Sequence, residues 1–509
     1  MIGAVTRLAS RLPPAGIAFL AGLALALPFQ GSRGIYETSE GRYAECAREM
    51  LRNGSYFVPT LWGEPHLTKP PLTYWAIAGG MRVLGRNAWG ARLYGALAFA
   101  LCVTCVYELG RRLWTRRTAW MAAAVFATMP LAFFGANIVT TDILLCAWET
   151  GAMLCIVAAW RVEKAAAARR WVTAAWVLFG LGFLTKGPPA LLPLAAVAVW
   201  RRRSAPSLPL ITWAGFLLFV LIGASWFAGI LAAGQTTAGE LLRREVIGRV
   251  ASSAGHNRAW YKAFSVYLPP LTAGLGAWFV VAVGAAIRER SWNRAVWARL
   301  RSRPDLRLLL LWFLIPLAVF AVSRSRLTLY VLPLTVPLAL GLAAWIDLRG
   351  RPRARSVVVV ATASAAALLA AKAALALVPN DHDMRSLADV CLRTGGARAR
   401  YILVDRSRMN GLRFYLDGNL TRLSFGRATL RAEGRLRPFL DDFVQPGNPP
   451  ADAPPYVLIV HAADRTCVTK ALRVRGLSRG ATAAWYDWEV WTLNPPEETP
   501  DAEHDRQPG

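Results

Sequence analysis

Long apolar runs separated by short arginine-rich connectors dominate the chain. Runs long enough for a membrane crossing, which takes roughly 20 helical residues, lie near 15–29, 90–110, 118–136, 142–160, 207–231, 265–287, 308–322, 327–346 and 356–378. A further apolar tract, 171–200, is interrupted by Lys186-Gly187-Pro188-Pro189 and predicts two helices meeting at the break. From about Asn380 the pattern changes. Tyr401–Val404, Tyr456–Val460 and Trp485–Leu493 read as strands and Met384–Arg393 as a helix, so 380–495 is expected to form a small α/β domain. The last residues, 496–509, are polar throughout and are expected to be a disordered tail.

The connectors orient the spans, because cytoplasmic loops retain Lys and Arg. The basic groups are Arg7/Arg11, Arg111 to Arg117, Arg161 to Arg170, Arg201 to Arg203, Arg288 to Arg307 and Arg349 to Arg355. All six fall on one side only if the 171–200 tract is a pair of helices. The prediction is therefore a polytopic α-helical membrane protein of about 11 spans, with a cytoplasmic N-terminus and an extracytoplasmic C-terminal α/β domain.

Composition agrees. Of 509 residues 55% are hydrophobic and 21 are Trp, more apolar surface than a soluble domain of this size hides. The net charge of +28 lies mostly in those connectors, so topology accounts for it and no nucleic-acid partner is expected. The remaining basic excess near the C-terminus suits membrane lipids with acidic head groups. No small-residue cleavage site precedes Gly31, and the first span is expected to stay. Cys102, Cys105, Cys146 and Cys155 fall in spans, where cysteine packs as a small apolar residue, whereas Cys391 and Cys467 share the outer domain and could pair.

One polar stretch is longer than a connector requires. Between Ile35 and Trp75, within a predicted outer loop 30–75, stand Glu37, Glu40, Arg42, Tyr43, Glu45, Arg48, Glu49 and Lys69-Pro70-Pro71. Arg42, Glu45 and Glu49 recur at helical spacing, and for Glu45, Arg48 and Glu49 an interfacial helix with solvated charges is the simpler expectation. Glu40 and Arg42 are expected to face a cavity. Lys69 and Lys186 each precede prolines at outward turns, and two such lysines suit one phosphate; a lysine reaching to the interface is the alternative for Lys69. Asp142 stands at the outer mouth of a span, as a functional acid or a helix N-cap. Later outward loops add Glu245, Arg249 and His256, then Arg324 and Arg326 before Tyr330. Arginines outside, against the general bias, suit an anionic head group.

Together, Glu40-Gly41-Arg42-Tyr43-Ala44-Glu45, Lys69-Pro70-Pro71 before Tyr74-Trp75, Asp142, Thr185-Lys186-Gly187-Pro188 and Tyr330 with Leu332-Pro333 resemble, in order over roughly residues 30–340, the lipid A aminoarabinose transferase family. That family is the bacterial branch of the protein O-mannosyltransferase-like enzymes. The resemblance implies a type C glycosyltransferase fold in the bacterial inner membrane. It implies a sugar taken from a polyprenyl (undecaprenyl) phosphate carrier on the periplasmic face and given to lipid A or another lipid or glycan acceptor. By position, Lys69, Arg42, Tyr43 and Tyr330 resemble the donor phosphate contacts and Asp142 the second acid of the cavity. Two departures stand out: Ser39 replaces a leading aspartate before Glu40, and Thr68 replaces an acid before Lys69. Val246 replaces a family histidine as well, so no metal and no other cofactor are expected.

The chemistry suits these residues without the name. Displacing polyprenyl phosphate from an anomeric carbon builds negative charge on the leaving group, which Lys69 and Arg42 would stabilise, with Lys186 and Arg326 as further cationic candidates. A hydroxyl acceptor would need Glu40 or Asp142 as base. A transporter or flippase of lipid-linked sugars is the competing reading; transporters commonly carry internal repeats, and neither the Glu40 motif nor the lysine-proline motif recurs in a matching half.

Overall fold

A computed structural model describes residues 12–237, 239–240, 261–288, 298, 302–323, 325–348, 354–404, 408–423, 455–473 and 477–494. The chain divides into two units, one of 1–33 with 46–378 and the other of 34–45 with 379–509. The tail 496–509, Glu245, Arg249, His256 and Arg324 lie outside the described residues.

The first unit is helical. Among the described residues six helices are long and apolar enough to cross a membrane: Ala88–Leu113, Asp142–Arg161, Trp213–Ala232, Pro304–Val322, Thr328–Asp347 and Arg355–Leu377. A seventh candidate, Lys262–Leu275 with Ala277–Gly284, bends by 87° at Gly276, which adopts a φ of 59°. Pro14–Ala26 is apolar but shorter. The predicted break is present: Ala165–Lys186 ends at Gly187, φ 77°, a short 3₁₀ turn Pro188–Leu191 follows, and Leu192–Ser204 resumes. The expected span 118–136 is two helices, Arg116–Ala127 and Pro130–Gly135, because Pro130 cannot continue the preceding turn.

Helix ends follow local chemistry. Asn87 caps Ala88–Leu113 by accepting from the Gly90 N–H at 2.9 Å, and Thr115 caps the next helix through Thr118. Leu72–Leu84, a helix of 13 residues, follows Pro70-Pro71 and is not among the expected runs. It packs against Ala88–Leu113 so closely that a Cβ on Gly80 would stand 2.3 Å from the Gly90 carbonyl oxygen.

The polar stretch is structured rather than a loop: it holds the helix Ser39–Asn53, a hairpin of β1 (Thr60–Leu61) and β2 (Glu64–Pro65), and the start of Leu72–Leu84. The expectation of solvated charges on its helix is overturned. Glu45, Arg48 and Glu49 are all buried. Glu49 accepts from Thr60 Oγ1 at 2.7 Å and from the Trp62 and Gly63 N–H groups, so its carboxylate closes the hairpin turn.

A polar network holds the exit of the first helix. Gln30 Nε2 donates to the carbonyls of Arg92 and Ala136, and Asn137 Nδ2 donates to the Gln30 carbonyl. Arg33 donates to Asn137 Oδ1 and its carbonyl, Arg92 to the Arg33 carbonyl, and Lys372 to Ala26 O and Gln30 Oε1. All five side chains are buried. Their donors meet neutral oxygens, which satisfies groups that would otherwise be costly at this depth. Among the described residues the sequence had flagged none of the five.

The second unit is α/β. Its sheet has the order β4-β3-β5-β7-β6, with β3 (Arg400–Val404), β4 (Leu420–Leu423), β5 (Tyr456–His461), β6 (Ser478–Trp485) and β7 (Trp488–Asn494). β3 runs parallel to β4 and β5; β7 is antiparallel to β5 and β6. The run from Trp485 is thus the end of one strand and the whole of the next, since Tyr486 takes a φ of 48° and turns the chain. Ile402, Val404, Leu458, Val460, Val468, Leu472 and Trp491 form the core between sheet and the helix Arg465–Arg473. Cys391 and Cys467 are both free, Cys391 buried and Cys467 exposed, so the suggested disulfide is absent.

Residues 34–45 belong to this unit through specific bonds. Gly34 N–H donates to Asp383, Ile35 N–H to Tyr415 Oη and Glu37 N–H to the His382 carbonyl. The Glu37 carboxylate accepts from Gly411 N–H at 2.6 Å and from Asn410 Nδ2 at 3.1 Å. Glu45 pairs with Arg413 at 2.8 Å. Burial pushes the Glu37 carboxyl up from 4.5 to about 7, against the opposing pull of those donors and of Arg42.

Two outcomes follow. Glu45→Ala strands Arg413 and is expected to cost about 3 kcal/mol, read as a lowered thermal unfolding midpoint in detergent; an unchanged midpoint refutes the pairing. The folded state holds the Glu37 proton longer than the unfolded chain does, so its contribution to stability is complete below about pH 4.5 and is lost as pH rises towards about 7. Unfolding midpoints of the protein and of Glu37→Gln should therefore diverge across that window, and parallel curves would contradict the assignment.

Candidate active site

Asp142 begins the helix Asp142–Arg161, and the turn before it is held in place. Tyr94 Oη donates to the Thr140 carbonyl at 2.6 Å, and Arg33 grips Asn137. The N-cap reading of Asp142 is corrected: Thr141 occupies the cap position, and the Asp142 carboxylate instead accepts from Lys186 Nζ. Both side chains are buried, 6% and 5% exposed. The Lys186 ammonium also lies 4.4 Å from the centroid of the Tyr330 ring. A carboxylate and a π face thus share one cation, an arrangement that holds the ammonium without hiding all its donors.

Gly187 makes this possible. Its left-handed conformation ends the helix at Lys186 and leaves the lysine at the turn. Tyr330 comes from a 3₁₀ stretch, Thr328–Leu334, that precedes the helix Thr335–Leu348.

Lys69 is half-buried, and Pro70 and Pro71 behind it are buried. Its flanking residues Leu67 and Leu72 pack, with Trp75, against Leu184, Trp226 and Ile230. Leu184 is two residues before Lys186, so both lysine-proline turns stand at the same end of the first unit. Trp226 Nε1 donates to the Phe57 carbonyl and Trp75 Nε1 to that of Tyr56, which ties the segment between hairpin and helix to this cluster.

The remaining candidates divide. Arg326 is buried and its guanidinium donates to the Ala321 carbonyl at 2.8 Å, at the C-terminal end of Pro304–Val322. Glu37, Glu40, Arg42 and Tyr43 are in the second unit. Glu40 is buried and accepts from Tyr36 N–H at 3.0 Å. The Arg42 guanidinium lies 5.4 Å from the Tyr43 ring centroid, and its buried Nε has no hydrogen-bond partner among the described residues. The first unit therefore brings together Asp142, Lys186 and Tyr330, with Lys69 at the same end. Among the described residues no group of three or more His, Cys, Asp or Glu is arranged to hold a metal ion.

Glu149 went unnoticed in the sequence. It is buried two turns along from Asp142, and an acid inside an apolar span was signal enough to single it out.

Residues 68–227 match the sequence family described as dolichyl-phosphate-mannose-protein mannosyltransferase. The undecaprenyl phosphate-α-4-amino-4-deoxy-L-arabinose arabinosyl transferase of Pectobacterium carotovorum subsp. carotovorum is 33% identical over 65% of this chain and 58% of its own. Enzyme 2 of that name from Pseudomonas fluorescens is 32% identical over 72% of this chain and 61% of its own. The chain thus spans about three fifths of the length of these relatives. In structure it is similar to ArnT from Cupriavidus metallidurans, solved bound to undecaprenyl phosphate, with a TM-score of 0.75 and 20% identity over 94% of this chain and 98% of that one. The resemblance drawn from the ordered motifs is borne out: this chain has the type C glycosyltransferase fold and is similar in sequence to the aminoarabinose transferases.

Proposed function

We propose that this chain is a membrane glycosyltransferase that moves a sugar from a polyprenyl (undecaprenyl) phosphate donor to lipid A or another periplasmic acceptor. The observation that carries the reading is the Lys186 ammonium held between Asp142 and Tyr330, at the same end of the unit as Lys69. The relatives' named activity and the ArnT structure with undecaprenyl phosphate support the donor class. The flippase alternative gains no support from them.

In this reading the acceptor oxygen attacks the anomeric carbon, the carbon–oxygen bond to phosphate breaks, and the phosphate leaves with the bonding electrons. Lys69 and Lys186 stabilise the charge that builds on the phosphate, with Arg326 and Tyr330 completing its surroundings. Asp142 takes the proton of a hydroxyl acceptor, whereas a phosphate acceptor needs only positioning. Eleven spans, a cytoplasmic N-terminus and an outward C-terminal unit place Lys69 and Lys186 on the periplasmic face. The arginine distribution supports that topology.

Lys69→Ala and Lys186→Ala should each lower transfer by roughly 10²- to 10³-fold, measured in proteoliposomes with radiolabelled undecaprenyl phosphate-aminoarabinose and lipid A. Unchanged turnover in both variants refutes the site. The exposed thiol of Cys467 reports topology directly: a membrane-impermeant maleimide should label it in intact spheroplasts, and labelling only after lysis would invert the chain.

A further inference from the structure

Glu149 carries an inference beyond that reading, on which it rests. It lies seven residues on from Asp142 in the same helix, two turns along the same face. It is 5% exposed, and among the described residues its carboxylate has no hydrogen-bond partner. The groups that act on it electrostatically are Cys146, Lys186 and Asp142.

Two acidic groups, Asp142 and Glu149, act on one ammonium, Lys186, and that ammonium is already engaged by Asp142 and by the Tyr330 ring. A buried carboxylate persists when a cation meets it. The unpartnered Glu149 carboxylate has acceptor capacity for one more positive group. Hydrogen bonds between an ammonium and a carboxylate are short and directional, so such a site discriminates a charged amine from a hydroxyl of the same size. Leu, Met or Cys would fill this position in an apolar span without that cost.

We infer that Glu149 is a specificity-determining residue that receives a positively charged amino group on the sugar being transferred. The ring hydroxyls and the phosphate are left to the other groups of the site. The amine supplies the positive charge that the Asp142–Lys186–Glu149 set lacks. A neutral sugar leaves the carboxylate unmatched and binds less well.

The test uses the full chain in proteoliposomes with two synthetic donors: undecaprenyl phosphate bearing a 4-amino-4-deoxypentose, and the same carrier bearing the 4-hydroxy pentose. The wild-type protein should favour the amino donor by roughly 10- to 100-fold in kcat/KM. E149Q should bring the ratio close to one, chiefly by raising KM for the amino donor, with transfer of the neutral sugar kept. E149D withdraws the carboxylate by one methylene and should give an intermediate ratio, which decides the matter should E149Q not fold. A ratio unaltered in both variants, or an equal loss on both donors, overturns the inference. Wild-type protein that transfers the two sugars at the same rate also overturns it alone, whereas wild-type protein that transfers neither sinks the glycosyltransfer reading.

Discussion

A charged group at membrane depth is costly unless a partner meets it, and the first unit is organised around how that demand is met. Lys186 meets a carboxylate and an aromatic face. Arg33, Arg92 and Lys372 meet carbonyl and amide oxygens of Gln30, Asn137 and the backbone. The two solutions have different consequences. A cation wedged among carbonyls from several helices locks those helices together, because moving any of them exposes a donor. A cation paired with one acid at a helix turn ties together only the two helices that carry the pair.

The locking network and the Asp142–Lys186 pair are neighbours along the chain. Asn137, gripped by Arg33, and Thr140, gripped by Tyr94, lie in the turn that delivers Asp142. Gly95 sits so close to that turn that a Cβ there would be 2.3 Å from the Ala136 carbonyl oxygen, so the helix bearing Tyr94 cannot back away without opening the packing. Rigid helices, Pro-Pro turns behind Lys69 and the Gly187 break thus hold these side chains in place. Positioning by such a scaffold is what a charge-stabilising site needs, since donors that are already in place need not reorganise when charge develops.

The second unit draws residues 34–45 into itself through Asp383, Asn410, Gly411, Arg413 and Tyr415. Glu37, Glu40, Arg42 and Tyr43 are therefore anchored by a domain whose sequence gave no hint of a role. Gly41 and Gly411 meet so tightly that a Cβ on Gly41 would be 2.4 Å from the Gly411 nitrogen. The α/β domain then does more than follow the membrane region: it fixes the shape of the segment richest in candidate chemistry.

Hydropathy determined the helical class, most of the apolar spans and the change to an α/β domain after Asn380, because burying apolar surface and satisfying backbone groups are local demands written at a fixed period. The Lys-Gly-Pro break was legible for the same reason: glycine and proline restrict the backbone wherever they stand. The ordered motifs carried the family resemblance. What the sequence could not determine was which charge meets which. Glu45, Arg48 and Glu49 share the spacing of a solvated helix face, yet they are buried, since Arg413 comes to Glu45 from a position 368 residues away and a hairpin folds onto Glu49. Asp142 looks the same as a cap or as a counter-ion until Lys186 is brought to it across 44 residues. Electrostatic partnership depends on distance in space, and only the tertiary structure sets that distance.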